Sequence, residues 1–294
     1  MTNSEAHYRK MTETPVSRLI LNLGIPTTIS MLITNIYNMA DTYFVGTIGE
    51  SAQAATGILF TVQAIIQGLA FMLGHGAGTF VSRSLADRDT DKATMYISTS
   101  FFTGMGLGLV IGAFGLSFLS PLVHFLGSTD TIAPYATEYG FWIFLAAPTI
   151  ICSLILNNGL RYEGKAFYAM IGLTAGGLLN ILGDYILVAK LGMGVYGAGL
   201  ATAASQLVSF TILLIMYLKM AQSTIRFRAV SREFKTYRSI CRVGLPSLIR
   251  QGLTALTTGV LNNMTKPFGD AAIAAMSVVN RYSNFLICVG LGIG

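Results

Sequence analysis

The sequence predicts an all-α, polytopic membrane protein, and three observations carry that expectation. Of its 294 residues, 53% are hydrophobic and only 11% charged, too few charges to cover a soluble domain of this size. The charged residues cluster between long apolar stretches, each reaching the roughly 20 helical residues that a hydrocarbon core requires. The alternating segments of about ten residues that build a membrane barrel are missing, so helices are left to satisfy the backbone inside lipid.

The first apolar stretch runs from about Leu19 to about Val45. Its polar lead contains Glu5 and Glu13, and no convincing small-residue cleavage site follows, so the lead is read as a tail and not as a signal peptide. Pro26 lies within this stretch and cannot donate its backbone hydrogen bond, so a bend is expected there. Further stretches begin near Ala54, Ala93, Ile132, Phe167, Val195, Ile240 and Ala271, giving eight expected spans. In the third, Gly104, Gly106, Gly108 and Gly112 are expected to form a small-residue face for helix packing. The longest polar connection, MAQSTIRFRAVSREFKTYRS, separates the sixth stretch from the seventh. The last stretch is cut at GLGIG inside an apolar helix, and a fragment of a longer parent is the expected explanation.

The net charge of +6 is distributed by side and not gathered in one patch. Arg9, Lys10 and Arg18 precede the first stretch; Arg83, Arg88 and Lys92 join the second to the third; Arg161 and Lys165 join the fourth to the fifth. Lys219, Arg226, Arg228, Arg232, Lys235 and Arg238 join the sixth to the seventh, whereas the intervening connections hold only Lys190 and Lys266. This positive-inside pattern predicts a multi-pass protein of the cytoplasmic membrane with its N-terminus in the cytoplasm. It accounts for the basic surplus without a nucleic-acid partner. The connection between the sixth and seventh stretches is expected to meet anionic membrane lipids.

Part of the chain echoes its beginning. GIPTTISMLIT at 24–34 lines up with GLPSLIRQGLT at 244–254, and GESAQAA at 49–55 with GDAAIAA at 269–275, both at the same offset and with Pro246 matching Pro26. A repeat that restarts after six spans returns to the same side of the membrane, so two parallel lobes are expected. The reading is a first lobe over 1–218, a basic cytoplasmic linker over 219–238, and the start of a second lobe over 239–294, about two helices of it.

The chemistry lies in polar residues set inside apolar runs. Asp41 follows TNIYNMA near the end of the first stretch, and Asp184 lies around the middle of the fifth, in LLNILGDYILV. A carboxylate at membrane depth is costly unless it pairs or faces water, and aspartate is too short to reach the interface from mid-helix. Asn180 precedes Asp184 by one turn and shares its helix face. Amide and carboxylate oxygens on one face suit a hard cation, and two carboxyls withheld from water make a candidate proton acceptor. Tyr37, Asn38, Asn157, Asn158, Thr202 and Gln206 are further candidates to line a cavity, the alternative for each being a bond to a neighbouring helix. Arg250 and Arg281 are expected to face a cavity or a partner helix. The three cysteines and three histidines are scattered without metal-ligand spacing, and no glycine cluster sits in a strand–helix phosphate loop. An enzyme is not expected.

Taken together, LGIPTTISMLITNIYNMADTYFVG, GHGAGTFVSRSLADRDTDKA, LNNGLRYEGK, LLNILGDYILV and YGAGLATAASQ resemble the bacterial multidrug and toxic compound extrusion (MATE) family. The resemblance implies a parent of twelve helices in two six-helix lobes around a V-shaped cavity. It further implies exchange of Na⁺ or H⁺ for organic, often cationic, drug-like molecules, with no cofactor and a monomeric state. The family's first-lobe cation pocket maps onto Asp41, Asn180, Asp184 and Thr202, where Na⁺ could bind, and its bend-forming proline onto Pro26. The second-lobe position matching Asp41 is Leu261. A flippase for lipid-linked sugars, a membrane scaffold and a nonfunctional truncated homologue are the rival readings.

Overall fold

The computed structural model describes residues 14–126 and 128–265, together with Gly290. Its secondary structure is helical, with no strand among the described residues: α1 Val16–Gly46, α2 Glu50–Ala86, α3 Thr90–Ser117, a short α4 Leu119–Phe125, α5 Ala133–Tyr162, α6 Ala166–Asp184, α7 Gly194–Met220 and α8 Phe234–Thr265. Helix α6 runs directly into a π-helical turn, Tyr185–Lys190. Gly192 and Gly194 then turn the chain into α7 with φ of 64° and 61°, left-handed values that favour glycine.

Helices α1–α3 and α5–α7 are long and apolar enough to cross a membrane and coincide with the first six expected stretches. The seventh departs from expectation. Helix α8 forms, but Arg238, Arg242, Arg250 and Gln251 dilute its apolar run, and it is not among the helices with spanning hydropathy. The eighth expected span, with Arg281, Cys288 and the repeat segment at 269–275, lies outside the described residues, as do Lys266 and the tail residues His7, Arg9 and Lys10.

Helix α5 is the hub, packing against α2, α3 and α7 and burying Ile143, Ile151, Ile155, Leu156 and Leu160 completely. Helix α3 docks on it through glycine. A Cβ at Gly104 would strike Ile155, at Gly108 the Pro148 backbone, at Gly112 the Phe144 carbonyl and at Gly115 the Phe144 ring. Gly106 does not belong to that face, since open space surrounds it. Two residues from Gly104 is more than half a turn away, which corrects the expected four-glycine face. Leu109, Val110 and Phe114 of α3, with Phe118 just beyond it, are exposed and form the side suited to lipid.

Helix α1 packs chiefly on α6, where a Cβ on Gly177 would sit 3.0 Å from Ile33 and 3.1 Å from Tyr37. It is one helix from Val16 to Gly46, with Pro26 inside it. Around the proline, Thr27 donates to the Leu23 carbonyl at 2.8 Å, Ser30 to Pro26 at 2.8 Å and Thr34 to Ser30 at 2.9 Å. Such back-bonding offers the backbone a competing partner and locally softens a helix.

The connection from α7 to α8, residues 221–233, is shorter than the sequence implied because α8 begins at Phe234. It lies as a strap over α3. The Thr224 amide donates to Thr94 Oγ1 at 3.2 Å, the Arg226 amide to Ser98 Oγ at 3.0 Å and the Ser231 amide to Thr99 Oγ1 at 2.9 Å. At its start, the buried Glu163 carboxylate accepts from the Gln222 amide at 2.6 Å, the Ser223 amide at 3.3 Å, the Tyr217 hydroxyl at 3.0 Å and the Ser223 hydroxyl. Burial pushes the pKa of neighbouring Lys165 down, while the Glu163 charge works in the opposite sense. Helix α8 then packs on α2 at glycine distance. A Cβ on Gly244 would overlap the Met72 carbonyl and one on Gly76 the Ile240 carbonyl, and His75 Nδ1 meets Ser247 Oγ at 3.0 Å.

A candidate cation site between the helices

Five helices converge on a small polar cavity that is partly open to solvent. Helix α1 supplies Tyr37, Asn38 and Asp41; α2 supplies Gln63, Ile66 and Gln67; α5 supplies Tyr139 and Ile150; α6 supplies Asn180; α7 supplies Thr202 and Gln206. Asp41 is the charged residue of that lining. Tyr139 donates its hydroxyl to Asp41 Oδ2 at 3.2 Å, tying α1 to the hub helix. Asn180 Nδ2 donates to Thr202 Oγ1 at 3.2 Å, tying α6 to α7.

Asp184 stands one turn behind Asn180. It is fully buried and does not reach the cavity lining, but it lies on the helix against which α1, the helix of Asp41, chiefly packs. Asp41 is five residues from Gly46, the end of α1, and Asp184 six from Lys190, the end of the fifth span. At about 1.5 Å per residue, both carboxylates sit at a similar depth, roughly 8 Å from that end of the bundle. Asp184 therefore lies midway between the centre of its span, near residue 178, and that end, whereas the apolar run alone had put it around the middle. The π-helical turn that begins at the next residue prolongs the helix beyond it, and such turns recur at functional sites.

The hydrogen bonds leave a set of oxygens over. Asp41 Oδ1, Asn180 Oδ1 and both carboxylate oxygens of Asp184 are buried without a hydrogen-bond partner. Buried polar atoms are normally satisfied, and each exception needs a reason. All four are hard oxygen donors, the kind that hold Na⁺ or Ca²⁺-like cations, and three belong to groups that can take a proton or share a cation's charge.

The other candidates divide. Tyr37, Asn38 and Gln206 line the cavity with the coupling candidates. Asn157 and Asn158 do not: Asn157 donates to the Ala169 carbonyl at 3.1 Å, joining α5 to α6, and Asn158 donates within its own helix to Leu154 at 2.8 Å while packing against Gly74. Pro26 and Pro246 both lie inside helices, and neither lines the cavity. Arg250 is exposed on α8. Sequence reasoning passed over Tyr139, Gln63 and Gln67. The glutamines could have been found, since two amides four residues apart in an apolar run share one helix face. Tyr139 sits near the start of its stretch, where an aromatic residue reads as an interface anchor.

Six spanning helices, five of which line an oxygen-rich cavity holding one carboxylate, define a polytopic membrane protein. The MatE family model matches residues 26–186, more than half of the chain, and the chain belongs to that family. It is 30% identical to the multidrug export protein MepA of Staphylococcus aureus over 283 residues, 95% of this chain and 63% of that protein. Two solved MATE structures, one in the straight and one in the bent conformation, superpose with TM-scores of 0.89 and 0.85 at 28% identity, each match covering 100% of this chain and 65% of the other. The chain thus spans somewhat less than two thirds of the length of these relatives.

Proposed function

We propose that the full-length protein is a secondary active antiporter of the cytoplasmic membrane, exporting organic, often cationic, drug-like compounds in exchange for H⁺ or Na⁺. The observation that carries this reading is the group of four buried, unpartnered oxygens on Asp41, Asn180 and Asp184. A cation or proton there would satisfy them and draw α1 toward α6; its release would leave two carboxylates at similar depth that repel. That difference between occupied and empty states lets ion binding bias the helix arrangement. Pro26 and its back-bonded hydroxyls give α1 a place to respond, and Pro246 stands at the equivalent place in α8. Thr202 completes the oxygen set, and Tyr37, Asn38 and Gln206 would face the passenger. The export activity of the related MepA agrees with this reading.

In this proposal residues 1–218 form the first lobe, 219–238 the cytoplasmic linker and 239–294 the beginning of the second lobe, in a protein that works as a monomer with its N-terminus inside and needs no cofactor or catalytic residue. The rival flippase would favour a cationic cavity for a pyrophosphate. The lining here holds no lysine, arginine or histidine, which favours the antiporter.

The test is substrate exchange by the purified full-length protein in liposomes, driven by a Na⁺ gradient at fixed pH and, separately, by a pH gradient without Na⁺. At least one gradient is expected to drive the wild type, and Asp41→Asn to lose the response to that gradient. If neither drives the wild type, the antiporter reading fails. If Asp41→Asn responds as the wild type does, Asp41 is not needed for coupling.

A further inference from the structure

The strap that joins α7 to α8 has a feature that transport does not use. It holds an aromatic ring and two guanidiniums outward at a fixed level on α3. The polar first turns of α3, TDKATMYISTS, give way to an apolar run at Phe101. From there Phe102, Gly106, Val110 and Phe114 recur every four residues along one face, continued by Phe118. Val110, Phe114 and Phe118 are 67%, 59% and 51% exposed, and nothing lies within 4 Å of a Cβ placed on Gly106. This is the lipid-facing stripe of α3, and Phe102 marks its polar end.

The strap places Phe227 on that residue. The two rings meet edge to face at 5.2 Å and 88°, yet Phe227 remains 76% exposed. The backbone bonds from Thr224, Arg226 and Ser231 to the α3 hydroxyls keep the ring there. Arg226 and Arg228 flank it, both exposed, with Arg228 on the 3₁₀ turn Phe227–Ala229. Over residues 221–238 the basic residues are Arg226, Arg228, Arg232, Lys235 and Arg238, against one carboxylate, Glu233.

We propose that Arg226, Phe227 and Arg228 form an interfacial anchor that binds anionic phospholipid headgroups. The ring continues the lipid-facing stripe to its polar end, where an apolar side chain beside basic residues can bury at the boundary between acyl chains and headgroups. The guanidiniums at the same level present planar donor forks that match phosphate oxygens, and an anionic leaflet attracts such a basic segment. The inference rests on α3 being a membrane span and not on what the protein transports. The anchor fixes the start of α8 relative to the bilayer as well as to α2.

The experiment uses the full-length protein in detergent micelles, with phosphatidylglycerol and phosphatidylcholine added in equal amounts and the retained lipid read by native mass spectrometry. The wild type is expected to prefer phosphatidylglycerol, and R226Q/R228Q to lower that preference about tenfold. Lys92→Gln, on the first turn of α3 away from the strap, should leave it unchanged. An unchanged preference in R226Q/R228Q overturns the proposal, as does an equal loss in Lys92→Gln, which would mean diffuse charge attraction. Displacement of the lipid by soluble glycerol phosphate at the same concentration also overturns it, in favour of a free phosphate site. A second measurement stands apart from the arginines. Phe227→Trp, in liposomes containing lipids brominated high on the acyl chain, should show quenching beyond that of the same protein without the substitution, and no added quenching would place the ring outside the interface.

Discussion

The Tyr139 hydroxyl donates to one carboxylate oxygen of Asp41, at 3.2 Å, and leaves the other oxygen buried without a partner. The two residues come from helices with different roles: α5 is the buried hub, whereas α1 exposes much of its length and packs chiefly on α6. The bond therefore holds a carboxylate of a peripheral helix in register with the core. It occupies one of the two carboxylate oxygens of Asp41 and leaves the other without a hydrogen-bond partner in a residue that lines the cavity.

Tyr139→Phe keeps the ring and removes the donor. A hydrogen bond to a charged group contributes about 1.5–3 kcal/mol, so the concentration of coupling ion giving half-maximal exchange should shift at least about tenfold. The fold should survive, because the hydroxyl is a single contact of a residue otherwise held by packing. Liposome exchange measured across a series of Na⁺ concentrations or pH values checks it. An unshifted midpoint would show that the bond is incidental to ion binding.

Asp184 is fully buried, and neither of its oxygens has a hydrogen-bond partner. A residue kept only as a structural acceptor would have a donor. Asp184→Asn is therefore expected to abolish most export of a cationic dye from cells carrying the full-length protein, at unchanged expression. Equal expression with unchanged efflux counts against Asp184 as part of the coupling site. Loss of expression alone favours a structural role.

Much of this was legible in the sequence, for an identifiable reason. Six spans could be read from hydropathy because lipid demands a continuous apolar surface, and Asp41, Asn180 and Thr202 stood out as polar residues in runs that lipid would otherwise fill. Periodicity fails where partners come from distant parts of the chain. Hydropathy does not distinguish Asn157, whose amide joins α5 to α6, from Asn180, which lines the cavity; each is an amide in an apolar helix, and only the aspartate one turn beyond Asn180 sets it apart. Nor could it show that Gly106 faces away from α5 while Gly104 and Gly108 carry the contact, since that depends on the rotation of α3.

The α2–α8 contact predicts a contrast between two glycines of one helix. A Cβ on Gly244 would overlap the Met72 carbonyl, while one on Gly252 meets nothing within 4 Å. A backbone carbonyl cannot swing aside as a side chain can, so Gly244→Ala forces the helices apart, an overpacking that costs about 1–3 kcal/mol. The midpoint of thermal unfolding in detergent should drop for Gly244→Ala and hold or rise for Gly252→Ala, which gains helix propensity. Equal midpoints for the two variants would mean that α8 does not rest on α2 at this distance.

Glu163 gathers the start of the strap: two backbone amides and two hydroxyls converge on its carboxylate. Glu163→Gln keeps the shape but replaces one acceptor oxygen with an NH₂ group, which would then face donors. A donor set against a donor is worse than a missing bond, because both groups stay desolvated. The first residues of the strap should then release from the protein and expose the chain beyond them. Arg226 and Arg228 lie three and five residues past Ser223 and are trypsin sites with exposed side chains, protected chiefly by the backbone bonds to Ser98 and Thr99. Limited trypsin digestion of the folded protein should therefore cut after these arginines several-fold faster in Glu163→Gln than in the wild type. Cleavage after Arg88, in the α2–α3 turn, should be unchanged. If both sites accelerate together, the variant has loosened the whole bundle; if neither does, the strap is held by α3 alone and the Glu163 cluster is not its clamp.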